Sequence, residues 1–388
     1  NEVPSLISRG AGALMLTVEG DELQVTGSFS GLESEFAADI AGGAHLHLGY
    51  AGENGGVEIP LVVTLDVNET SGFFEAANNT FTINADQMAA LDERRIYANI
   101  HSNNAPGGEL RGQVAADEGT LFRVYLSGAN EQPAIVSSAS GQVMAEYRNG
   151  ELTLSGFFTG LESPVATDIA GGAHLHLGMA GENGPVAIPL ELTLQAGDTS
   201  GFFLPAQNTY SLSSDQIDAL FRRGMYLNIH SENFTAGELR GQLLPECRAV
   251  FNGNLSGSFE APPVNTAAFG GLKLEWRGET AIATGSFSAM SSEVDISIAG
   301  GAHLHAAPAG LNGDVKLLLA SELDSTQQAG VFPPDLNFFE LTEADITTLR
   351  DREFYANIHT LNHPAGELRA QMMAEADYYM YAPLSGHN

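Results

Sequence analysis

Apolar and polar residues alternate with period two along short stretches of the chain, for example 23–29 and 57–65. Clusters of Gly, Asn and Pro break each run after a few residues, which predicts many short, half-buried strands. AGENGG at 51–56 and AGENGP at 180–185 are turn sequences, because Asn and Gly tolerate a positive φ. Three segments break the alternation. ADQMAALDERR, SDQIDALFRRG and EADITTLRDRE follow Asn84, Ser213 and Thr342, residues that cap a helix N-terminus. The pattern predicts an all-β protein of antiparallel β-sandwiches or barrels with short helices in long connections.

The strands repeat. DIAGGAHLHLG occurs at 39–49 and again, unchanged, at 168–178; SIAGGAHLHAA occupies 297–307. YANIHSNNAPGGELRGQ, YLNIHSENFTAGELRGQ and YANIHTLNHPAGELRAQ begin at Tyr97, Tyr226 and Tyr355. Both blocks recur at a constant interval, with no net insertion between them. The interval is the length of a whole domain rather than of a solenoid unit. Three tandem domains are expected, at 1–120, 121–249 and 250–378, followed by a strand at 379–388.

That last strand comes from the edges of the repeat. LFRVYLSG at 121–128 and VFNGNLSG at 250–257 lead into the second and third domains, and YMYAPLSGHN at 379–388 is in phase with them. Phe122, Val124 and Leu126 correspond to Phe251, Gly253 and Leu255, and then to Met380, Ala382 and Leu384. This is the inward face of a half-buried strand. The first domain has no such lead in the sequence, so 379–388 is expected to supply it. Three globules in a straight row put the tail about 100 Å from the far end of domain 1. A ten-residue strand spans only ~33 Å. A straight row therefore donates its strand to the next chain and builds a head-to-tail polymer, whereas a tight triangle closes on itself.

Composition narrows the partners. Acidic residues number 48 against 16 basic, a formal charge of −32. Phosphate would repel such a chain, so a nucleic-acid partner is not expected. No apolar run is long enough to span a bilayer. The single cysteine, Cys247, excludes an internal disulfide framework. The opening residue is Asn1 rather than Met, which fits removal of a secretory signal.

Nine of the 11 histidines lie in the repeated blocks. His45 and His47 are two apart and share one strand face. His101 joins them if the Y-A-N-I-H strand is adjacent. The equivalent sets are His174, His176, His230 and His303, His305, His359. Three imidazoles suit copper or zinc, one ion per domain. Glu109, Glu238 and Glu367, in the G-E-L-R runs, are candidate fourth ligands or supporting groups. A hydrogen-bonded polar cluster is the competing reading of the histidines. Glu109 with Arg111 reads as an ion pair or hydrogen-bond clamp.

G-G-A-H-L-H-x-G, A-G-x-N-G, Y-x-N-I-H and G-E-L-R-G-Q together resemble the CHRD domain, named for chordin and found in many secreted microbial proteins. The resemblance spans nearly the whole chain. It implies an extracellular, immunoglobulin-like β-sandwich and brings no catalytic residues. The third copy departs from it at Leu311 and Ala370. The H-x-H strand is also similar to the copper-ligand strand of Cu/Zn superoxide dismutases, but each copy lacks the further ligands that those enzymes require.

The reading favoured by these features is a secreted or cell-surface structural protein. It polymerises with itself through 379–388 and carries a three-histidine metal site in each domain. An extracellular copper- or zinc-binding protein or metal-dependent redox enzyme is the alternative. A monomeric adhesion or ligand-binding module is a further one.

Overall fold

The computed structural model describes residues 2–3, 6–115 and 119–375; the proposed donor strand, with Met380, Ala382 and Leu384, lies outside them. Three separate apolar cores form, one per sequence repeat. They centre on Leu23, Val25, Phe29 and Leu46 in module 1, Phe122, Leu154, Phe158 and Leu175 in module 2, and Phe251, Leu274, Trp276 and Leu304 in module 3. The fold is all-β and antiparallel, as the alternation predicts.

Each module contains a long hairpin: Ala11–Glu19 with Glu22–Ser30, Ser140–Arg148 with Glu151–Thr159, and Phe269–Trp276 with Thr280–Ser288. In module 2 the connecting pair Asn149 and Gly150 both have positive φ, 50° and 89°. A two-residue hairpin loop needs that conformation to follow the strand twist. A second half-sheet carries the histidine strands Ala44–Leu48, Ala173–Leu177 and Ala302–Ala306. The three helices, α1 (Ala85–Asp92), α2 (Ser214–Phe221) and α3 (Glu343–Arg350), start at the expected caps. Asn84, Ser213 and Thr342 each form a full capping box with Gln87, Gln216 and Asp345.

The lead strands decide whether the two half-sheets become one. Thr120–Ser127 pairs with Ser140–Arg148 on one side and with Leu239–Gln242 and Leu244–Pro245 on the other. Ala249–Ser256 does the same in module 3. Modules 2 and 3 are therefore continuous 11-stranded sheets. Phe122, Val124, Leu126, Phe251 and Leu255 face inward and are buried, as the period-two pattern predicts. Module 1 instead has two separate sheets, of five and four strands. Among the described residues nothing pairs with the outer edge of Ala11–Glu19, or continues the sheet beyond Ala105–Gln113.

Successive modules meet through one repeated joint. The loop after the histidine strand lies on the first hairpin of the next module. A Cβ at Gly52 would stand 2.7 Å from the backbone N of Gln142, and one at Gly181 would stand 2.3 Å from that of Gly271. Arg94 grips Glu146 through Nε at 2.6 Å and Nη2 at 3.3 Å; Arg223 grips Glu275 at 2.9 and 3.4 Å.

The modules do not form a straight row. Module 3 also touches module 1. Arg350 on α3 donates to Glu33 at 2.6 Å, Arg9 pairs with Glu343 at 3.3 Å, and Arg248 Nη1 donates to the Arg9 carbonyl at 2.8 Å. Ile7 packs against the module 3 core. Sequence separation alone could not reveal this, because these contacts are not repeated between modules 1 and 2.

Candidate metal centre

The two histidines of A-H-L-H project from one strand face, while Leu46 and its counterparts fill the core behind. Cross-strand register puts His45 opposite Asn99 and His47 opposite Tyr97. Modules 2 and 3 repeat this, with His174 opposite Asn228 and His303 opposite Asn357. The third histidine follows at the strand end. His45, His47 and His101 converge, as do His174, His176, His230 and His303, His305, His359; within each set the ligand nitrogens lie within 4.8 Å of one another. All nine predicted histidines are thus brought together in three clusters.

The protonation pattern suits ligation. His47 Nδ1 is 2.9 Å from the Gly55 carbonyl, and His101 Nδ1 is 3.0 Å from the Pro106 carbonyl. A carbonyl only accepts, so both Nδ1 atoms carry the proton and both Nε2 atoms present lone pairs. His101 Nε2 faces His45 Nε2 at 2.9 Å. His47 Nε2 is buried with no hydrogen-bond partner, as is His176 Nε2. Two imidazole nitrogens each about 2.0–2.1 Å from one ion subtend roughly 90° when they are 2.9 Å apart. The same short approach recurs at 2.9 Å between His174 and His230, and at 3.0 Å between His303 and His359. The three nitrogens of each set are placed to hold one metal ion.

Burial, reinforced by the neighbouring imidazoles, lowers the His45 and His174 pKa values to about 4. Burial is also the main cause for His359, which falls to about 4. The remaining six are lowered by burial as well. The nine rings are therefore neutral at physiological pH, the form that binds metal.

Glu109, Glu238 and Glu367 each accept hydrogen bonds beside an NIH histidine. Glu109 accepts from Ser8 Oγ at 2.5 Å, from the Glu33 amide at 2.8 Å and from Ser102 Oγ. Glu238 holds Ser137, Ser231 and the Glu162 amide; Glu367 holds Thr266, Thr360 and Ser291. Each carboxylate ties down the residue directly after its NIH histidine. Arg111 takes the clamp role: its guanidinium donates to the Tyr50 and Glu53 carbonyls and to Asn54 Oδ1.

Two groups escaped the sequence reading. Tyr97 stacks on His47, centroids 4.7 Å apart and 2° from parallel, and Arg111 covers its other face at 3.5 Å. Tyr226 and Tyr355 repeat the stack with His176, Arg240 and with His305, Arg369. The signal was present, because 97, 99 and 101 share one strand face. The second group is Glu2, Glu131 and Glu260, from NEVP at 1–4, NEQP at 130–133 and FEAP at 259–262. All three are buried on the side of Asn99, Asn228 and Asn357. Burial raises them to about 7, 8 and 7 respectively.

The CHRD domain profile matches the chain three times, at residues 1–114, 122–243 and 251–372. The chain belongs to the CHRD domain family, as three tandem copies. A comparison with curated proteins found no match. No helix among the described residues is long and apolar enough to cross a membrane.

Proposed function

We propose that this protein is an extracellular structural subunit. It assembles head to tail by donating strand 379–388 to module 1 of the next chain, and it holds one copper or zinc ion in each histidine triad. The observation that carries the assembly reading is the gap between the two half-sheets of module 1. Core residues flanking it, Leu14, Leu16, Leu110 and Val114, are only partly buried. Their counterparts Val143, Ala145, Leu239 and Leu243 are fully buried beside Thr120–Ser127. Carrying over the module 3 register sets Met380, Ala382 and Leu384 opposite Leu16, Leu14 and Gly12. Backbone pairing supplies affinity and the apolar row supplies register.

Closure within one chain is the second reading, and two observations favour it. Module 3 touches module 1 through Arg350–Glu33 and Arg248–Arg9, which is the triangle rather than the straight row. The last described residue lies near that contact: Glu375 donates its backbone N–H to Val250, close to Arg248 and therefore to Arg9 of module 1. Particle size separates the two. Trans donation gives polymers that vanish on deletion of 379–388 or on Leu384→Asp. Cis closure gives a monomer whose melting temperature falls with the same deletion.

In each module the histidines, held by Gly55-, Pro106- and tyrosine-type contacts, would tie the histidine strand to the NIH strand through a metal. Zinc or copper supplies there a cross-link among strands already paired. The proposal assigns no catalytic residue.

A further inference from the structure

Strand donation alone leaves a second surface of module 1 unexplained. The first hairpin of modules 2 and 3 is buried on its outer side as well as its inner one. Residues 141–146 and 270–276 are buried throughout. In module 1 no residue of Ala11–Glu19 is buried. Met15 is 60% exposed, whereas its counterparts Met144 and Lys273 are 0% and 3% exposed. Part of the difference is the loop of the preceding module, which covers modules 2 and 3 on this side.

The matching half of that joint is bare at the other end of the molecule. Ala51 and Ala180 are 2% and 7% exposed because they sit on the following module. Ala309, at the same place in module 3, is exposed, and so is Leu311 at 60%. A Cβ at Gly310 would meet nothing within 4 Å. The contact of module 3 with module 1 uses α3 and Arg248 instead, so the chain does not satisfy its own loop.

We infer that loop 308–313 of module 3 docks on the outer face of Ala11–Glu19 and Glu22–Ser30 in a second copy of this chain. This rests on the head-to-tail reading and gives it a second contact. The partners match position by position. Ser286 Oγ donates to the Ala180 carbonyl at 2.8 Å, and module 1 has Ser28 there, exposed, ready for the Ala309 carbonyl. The Tyr50 and Phe202 rings are 5.3 Å apart at the first internal joint; Pro308 and the 44%-exposed Phe73 take their places. Gly310 keeps the positive φ, 81°, of Gly52 and Gly181, so its backbone can approach a strand closely. Ala13 stands where Gln142 tolerates that approach. Other polar contacts of the internal joints are not reproduced. At the second joint Lys273 Nζ donates to Asn130 Oδ1 at 2.7 Å, and Met15 and Phe259 take those places. Arg352 repeats Arg94 and Arg223, but Thr17 replaces the acid of Glu146 and Glu275. The joint between chains thus lacks the ionic latch of the joints within them.

Thr17→Glu restores the missing acid and tests the docking directly. The concentration at which the full chain assembles should fall, about three- to tenfold, in low salt. Arg352→Glu should cancel that gain in the same background. Ala309→Arg, exposed in the single chain, should raise the assembly concentration at least tenfold with no change in melting temperature when the protein is monomeric. If Ala309→Arg and Thr17→Glu leave assembly unchanged while deletion of 379–388 abolishes it, strand donation stands and loop docking is wrong. If assembly survives the deletion but not Ala309→Arg, the loop is the contact and strand donation is wrong.

Discussion

At the scale of single residues, His101 is the test of the metal centre. Its ring is oriented by the Pro106 carbonyl and its free nitrogen points at His45. His101→Ala should lower bound zinc or copper by one equivalent out of three, measured by elemental analysis of the purified protein. His363→Ala, outside the triads, should leave the content unchanged; equal metal in both variants would overturn the site. A pH effect belongs to Glu131. Burial lifts its pKa from 4.5 to about 8, so the folded state prefers the neutral acid. That preference favours folding most at low pH and is lost as pH rises through 8. The triads act in the opposite sense, since a histidine lowered to about 4 costs stability as pH falls from 6.5 towards 4. Glu131→Gln should therefore flatten the alkaline side of a melting-temperature profile between pH 5 and 8 and leave the acid side unaltered. The histidines were legible because H-x-H on a strand fixes a shared face. Glu131 was not, since its partner Asn228 lies far along the chain and only folding joins them.

At the scale of elements, the lead strand joins the two half-sheets of modules 2 and 3. Its inward residues could be read from period two alone, and Phe122 and Phe251 sit in their cores as that pattern requires. The helices were equally legible, because a capping box is local. The joint between modules was not. AGENGG reads as a turn, and the turn residues do not say that the loop lies on Gln142 of another sheet. The missing-strand reading makes a further prediction. A synthetic peptide of 379–388, added to the chain lacking those residues, should bind one per chain and raise the melting temperature of module 1. The same peptide added to intact chains should shorten assemblies by occupying the gap first. No binding by calorimetry would count against the register with Leu14 and Leu16.

At the scale of the whole molecule, charge opposes assembly. Each chain carries −32, so neighbours in the proposed polymer would repel one another. Raising ionic strength from about 0.01 to 0.15 M shrinks the screening length from ~30 to ~8 Å. Light scattering should then detect assembly at a lower protein concentration. The Thr17→Glu variant should lose part of its advantage over the same range, because its added contact is ionic. The salt bridges between module 3 and module 1, Arg350 with Glu33 and Arg9 with Glu343, weaken under the same conditions, so the pose of the modules and the extent of assembly can be followed together.

Among the described residues nothing joins the two half-sheets of module 1. A chain of such subunits has direction. In the proposed polymer one tip would present the outer edge of Ala11–Glu19, which nothing among the described residues pairs with, and the other would present loop 308–313. The first tip should fray and be cut by proteases before any interior subunit, and growth and loss at the two tips should proceed at different rates. A fibre of this kind would wear from a known end.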